Sequence, residues 1–192
     1  MHAFDYVMTL MSFVYALAIT HMLATVGDII GAWPRVRFSW LNAVWMLFAL
    51  LGVLTWWIGM WGLRDAHTWG MGIVVIFFLL AAILYLEVRL VCPRIPHDGP
   101  VDLVDFHNRE GRKYMTGFAA VTGFTAIVNV FYFQEGIFAD VAASRVDRVV
   151  LIQCLASIVA ARFADRRVQF GMVLIVGSMW AWYFAMLQGA LT

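Results

Sequence analysis

Six long apolar stretches, separated by gaps whose basic residues alternate between rich and poor, constrain this chain more than any other feature. The stretches run roughly 4–32, 39–63, 68–91, 114–134, 146–164 and 168–190, each near the ~20 residues that cross hydrocarbon as a helix. Gap one holds Arg35 and Arg37, gap three holds Arg89, Arg94, Arg109, Arg112 and Lys113, and gap five holds Arg162, Arg166 and Arg167. The other gaps hold Arg64, Arg145 and Arg148, so ten of the 13 cations fall on one side. Lys and Arg resist translocation, so the ten belong in the cytoplasm and both termini outside. The expectation is an all-α polytopic protein. It has one domain, 1–192, with six transmembrane helices in one bundle, N-out and C-out in a bacterial inner membrane.

Composition agrees with that class. The hydrophobic share of 64% and mean hydropathy of +0.84 lie far above the ~45–50% apolar usage of soluble domains. After six spans, the longest polar segment is about 92–113, too short for a soluble catalytic domain. A net charge of +1 gives no basic face for nucleic acid. The start, Met-His-Ala-Phe-Asp, lacks the positive region of a cleavable signal, so the first stretch reads as a true span. Cys92 and Cys154 show no disulfide or metal spacing. A single lysine among the 13 cations suggests high-GC bacterial coding.

The gaps carry local signals. Trp33-Pro34-Arg35-Val36-Arg37 stops one helix and starts the next. Gap two, Arg64-Asp65-Ala66-His67, is equally short. Cys92 to Pro100 contains three prolines and forbids regular helix, after which a helix restarts with Asp102 and Asp105 in its first turn. Val101, Val104 and Phe106 would rest on the membrane surface. Gap four, about 135–145, carries no motif. Aromatic belts are expected at Trp56, Trp57, Trp61 and Trp69 with Phe131, Tyr132, Phe133, Trp182 and Tyr183 on one side. Trp33, Phe38, Trp40 and Tyr114 would form the other.

Small residues mark packing faces. Gly177, Ala181, Ala185 and Gly189 repeat every four residues in span six, and Ala156, Ala160 and Ala164 do so in span five. Such ladders let backbones approach closely, within one hairpin or between subunits. Span two shows a further seam at Asn42, Trp45, Ala49, Gly52, Trp56 and Gly59.

Ionisable groups inside spans are functional candidates because burying them is expensive. His21 lies near the middle of span one, and His21, Thr25 and Asp28 share one face at 0, +4 and +7. That face could line a cytoplasm-facing pocket for a lipid, quinone or pigment. The bland alternative has His21 donating toward Asn129, Gln153 or Ser178, and Asp28 facing Arg35 or Arg37. Asp5, Thr9, Ser12 and Ala16 form a separate face in the outer half. Glu87 and Arg89 are expected to snorkel or pair locally.

Several chemistries are excluded. Retinal needs an intramembrane lysine, and the one lysine is Lys113 at the inner surface. A bis-histidine haem needs two facing histidines at similar depth, and His21 is alone. A single-ligand pigment at His21 remains open, although Leu17 is a bulky neighbour. Coupled pumps bury carboxylates near the midplane, and none is expected there. His97, Asp98, Asp102, Asp105, His107 and Glu110 form the most enzyme-like segment, but match no strong metal motif.

The reading is therefore a non-enzymatic integral subunit that assembles with itself or with other membrane proteins in the bilayer. The alternatives are a homo-oligomeric channel or passive transporter, with His21, Ser12, Asn129 or Gln153 facing water, and an interfacial lipid-modifying enzyme.

Overall fold

The computed structural model describes the backbone over 3–64, 70–133 and 141–190, and side chains over 4–61, 64, 70–129 and 148–185. Among the described residues six α-helices appear, one over each apolar stretch, with α4 and α5 starting earlier than the stretches predict. They are α1 (Ala3–Gly31), α2 (Trp40–Gly59, extended by a 3-10 turn over Met60–Leu63), α3 (Met71–Val91), α4 (Leu103–Phe133), α5 (Val141–Arg162) and α6 (Arg166–Ala190). Residues 134–140 of the fourth gap, all of 65–69 with Trp69, and the side chain of Gly189 lie outside the described residues, whereas 141–145 of that gap already belong to α5.

Among the described residues, four helices are long and apolar enough to cross a membrane: α1, α2, α3 and α6. The chain divides into two compact units, Met1–Gly111 and Arg112–Thr192, with the division inside α4.

In the first unit α1, α2 and α3 pack on one another. Each contributes a mainly apolar stripe at three- and four-residue spacings, which keeps one face inward over many turns. On α1 the stripe is Phe4, Val7, Met11, Tyr15, Ala18, Met22, Thr25 and Ile29; on α3 it is Phe77, Leu80, Leu84, Glu87 and Val91, with Ala81 and Val88 beside it. The span-two seam turns inward as well: Asn42, Trp45, Ala49 and Gly52 are buried. Its partner is α3 of the same chain. A Cβ on Gly52 would stand 3.6 Å from Leu84 Cδ2, and Trp56 meets Phe77 edge-on.

Several hydroxyl groups on these helices are satisfied by their own helix. Thr9, Thr25 and Thr55 donate to the carbonyls of Asp5, His21 and Leu51, each four residues earlier. Ser12 accepts from Trp57 Nε1 at 3.3 Å, tying α1 to α2.

Two elements depart from the sequence expectation. Residues 36–37 (β1) and 101–102 (β2) pair as a parallel ladder, Val36 opposite Val101 and Arg37 opposite Asp102. No restart separates an interfacial helix from the fourth apolar stretch, because α4 is continuous from Leu103 to Phe133. Its N-cap is Asp102, whose Oδ1 accepts from the Asp105 amide at 2.9 Å, so Asp102 precedes the first turn instead of lying within it.

In the second unit α5 packs on α6, and Cys154 Sγ donates to the Ala119 carbonyl of α4 at 3.4 Å. The inward stripe of α5 is Val149, Gln153, Ala156 and Ala160, with Ser157 beside it. Inward residues of α6 are Val173, Val176 and Trp180.

Candidate functional site at the capped end of the three-helix unit

The three prolines of 92–100 keep that segment out of helix, leaving its carbonyls free to accept. Arg35 takes two of them. Its Nη1 donates to Gly99 O at 2.6 Å and its Nη2 to Pro96 O at 2.7 Å, so one planar guanidinium holds the loop at two points. Gly99 sits at φ +89°, a conformation that L side chains rarely adopt, which explains glycine at the bend. Arg37 Nη1 reaches Asp102 Oδ2 at 3.0 Å beside the β1–β2 ladder. The loop that follows α3 is thereby fastened to the turn between α1 and α2.

A mixed polar and sulfur interior lies under this cap. Asn42 is fully buried and donates from Nδ2 to Val91 O at 3.1 Å, satisfying a carbonyl in the last turn of α3. The buried thiol of Cys92 meets Met22 Sδ at 3.6 Å. Burial pushes that thiol up to about 11, against smaller lowering effects from Thr25 and Arg89. Glu87, one turn before Val91, is only 3% exposed, and its Oε2 has no hydrogen-bond partner; neither has Asn42 Oδ1. The expectation that Glu87 snorkels is therefore corrected. Its place on the inward stripe with Leu84 and Val91 overrides the usual escape of a carboxylate to water.

The proposed His21, Thr25 and Asp28 face divides in the structure. Thr25 points inward and is 5% exposed, His21 is half-buried at the edge, and Asp28 is exposed. The expected partners of His21, namely Asn129, Gln153 and Ser178, belong to the second unit. Arg89 Nη1 lies 3.2 Å from His21 Nε2 and 3.3 Å from its Nδ1. Near-equal distances place the guanidinium nitrogen across the ring, off the lone-pair axis of either nitrogen. With Met22 against Cys92, this puts His21 within about one turn of the end of α3. It therefore stands near one end of the three-helix packing, while α1 runs on for nine residues past Met22, about 14 Å. Asp28 lies on that projecting part, and the two arginines expected to face it are engaged by Pro96, Gly99 and Asp102.

The acidic segment has structural uses. Asp102 caps α4 and binds Arg37, Asp105 pairs with Arg109 at 2.7 Å, and His107 is buried. Among the described residues no group of three or more His, Cys, Asp or Glu is placed to hold a metal. Both cysteines are free.

Small-residue ladders fall on both kinds of surface. Ala156 and Ala160 are buried inside their own unit, Ala164 is exposed just past α5, Gly177 is half-buried, and Ala181 and Ala185 are exposed on α6. Of the aromatic belt, Trp33, Trp40, Trp57 and Trp61 are exposed, whereas Tyr114 is 1% exposed and belongs to the core. No protein-family model, curated protein or solved structure matches the chain.

Proposed function

We propose that the protein is a non-enzymatic integral subunit of a bacterial inner membrane, with α4 and α5 completing six spans and both termini outside. It assembles through α6 with further copies or with other membrane proteins. The observation that carries this reading is the outward face of α6. Only 17% of its apolar window is buried inside the protein, against 44% for α2, and Ala181 and Ala185 lie on the uncovered side. Small residues on an uncovered membrane helix permit the close approach on which helix association in lipid depends. The ten-to-three distribution of cations supports the orientation.

A lipid or quinone headgroup near His21 belongs to the same reading. Arg89 lies across the imidazole, so a polar headgroup can meet the guanidinium where it stands, whereas a pigment metal would have to displace it. The channel reading draws less support, because Gln153 is buried and the Ser12 hydroxyl is engaged by Trp57.

Native mass spectrometry of the protein extracted from its own membranes tests the proposal. Co-purifying subunits or homo-oligomers that disappear in Ala181→Leu/Ala185→Leu support it. Intact assembly in that variant, or a monomer throughout, overturns it.

A further inference from the structure

The second unit carries an open groove of about 170 Å³ lined by Arg112, Thr116 and Ala119 from α4 and by Ile158, Ala161 and Arg162 from α5. Its chemistry is graded along the helices. Arg112, Thr116 and Ala119 fall at 0, +4 and +7 on one face of α4, and Ile158, Ala161 and Arg162 at 0, +3 and +4 on one face of α5. The two arginines therefore stand at one end, with Ala119 about 10 Å and Ile158 about 6 Å further along their helices. Thr116 spends its hydroxyl proton on the Arg112 carbonyl at 2.7 Å, which leaves the guanidinium groups as the donors. Among the described residues neither guanidinium has a carboxylate partner. The acid nearest Arg162 in sequence, Asp165, accepts from the Arg167 amide at 2.7 Å at the start of α6.

Depth in the membrane follows from α6. That helix is long and apolar enough to cross, and its first residue, Arg166, comes four residues after Arg162. The arginine end of the groove thus lies where α6 enters the bilayer, at headgroup level, and Ala119 and Ile158 lie toward the hydrocarbon.

From these positions we infer that the groove binds the phosphate of an anionic glycerophospholipid. Arg112 and Arg162 clamp the phosphate from two helices, and an acyl chain runs past Ala119 and Ile158. Guanidinium groups match phosphate oxygens with paired donors, and basic pockets between membrane helices are suited to anionic headgroups. The apolar continuation selects a lipid over a free phosphate, which would gain nothing from Ala119 or Ile158. The inference rests on α4 and α5 being membrane helices.

The test is native mass spectrometry of the full chain in nanodiscs containing phosphatidylglycerol and phosphatidylcholine. Wild type should retain phosphatidylglycerol selectively, and Arg112→Gln and Arg162→Gln should each weaken retention by about fivefold. The charge-preserving Arg112→Lys/Arg162→Lys variant should recover most of it. Equal retention of both lipids by wild type overturns the inference without recourse to any variant, as does unchanged selectivity in the folded glutamine variants. Displacement by soluble glycerol phosphate at equal concentration also overturns it, by showing a phosphate site without a lipid component. Maleimide labelling of Ile158→Cys in intact membranes separates this failure from failure of the topology. Rapid labelling by a water-soluble reagent places α5 outside hydrocarbon and removes the six-span reading, whereas protection with no lipid preference removes the groove alone.

Discussion

Arg37 and Asp102 are joined twice, as register partners in the parallel ladder and through a 3.0 Å contact between guanidinium and carboxylate. The same carboxylate caps α4 through the Asp105 amide. One side chain thus links the α1–α2 turn to the start of α4, and acid should act on that link.

The Asp105 amide first, and Arg37 second, hold the Asp102 carboxyl below its ordinary value. A group depressed in the folded state contributes stability above its unfolded value and loses it as the pH falls through the folded one. We expect the cap to be insensitive to pH near neutrality and to loosen only below about pH 4. Hydrogen exchange at the Val101 and Asp105 amides reads this directly. Asp102→Asn should exchange faster at neutral pH and show no acid limb.

Arg35 is the second fastener, and Cys92 lies under the cap. With its thiol buried and pushed up to about 11, Cys92 should alkylate slowly at pH 7.5. Arg35→Ala removes both bonds to the loop and should raise the labelling rate at Cys92 at least severalfold, with Cys154 as the internal reference. An unchanged rate would show that the loop is held by other contacts.

Gly52 faces Leu84 with ordinary van der Waals clearance for one added carbon. Gly52→Ala should therefore shift stability by less than about 1 kcal/mol. Gly52→Leu should cost about 1–3 kcal/mol through overpacking of the α2–α3 seam. Thermal unfolding in detergent distinguishes the two.

Asn42 and Glu87 should respond oppositely. Asn42→Leu strips the Val91 carbonyl of its donor in a dry seam, at a cost of about 1–3 kcal/mol. Glu87→Leu removes a buried carboxyl with an unpartnered oxygen, and we expect it to be neutral or stabilising. A large loss of stability in Glu87→Leu would mean that the carboxyl has a structural partner.

Helix positions were legible because apolar runs of span length report themselves, and the Trp33–Arg37 turn was legible because proline interrupts them. Four of the helices qualify as spans on length and apolarity. The cap was not legible. A ladder of two residues per strand has no periodicity to detect, and Arg35 bonds to backbone carbonyls more than 60 residues away, which no side-chain motif announces. The early turns of α4 are polar, so hydropathy reads them as loop although Asp102 caps a helix there. His21 is near the middle of the first apolar stretch when that stretch is taken by itself. Its partner Arg89 stands near the end of α3, which places the histidine differently. For Glu87 the sequence does carry a signal: Phe77, Leu80, Leu84, Glu87 and Val91 follow one alternating rhythm, and that rhythm points the carboxylate inward.

The cap also orders events in time. Its two halves are separated by the whole of α2 and α3, so a nascent chain cannot fasten Arg35 or Arg37 until the segment through Asp102 has left the ribosome. Until then the turn between α1 and α2 holds two uncommitted positive charges, available to resist crossing the membrane. Once fastened, the same two charges are committed to the loop that follows α3 and to the start of α4.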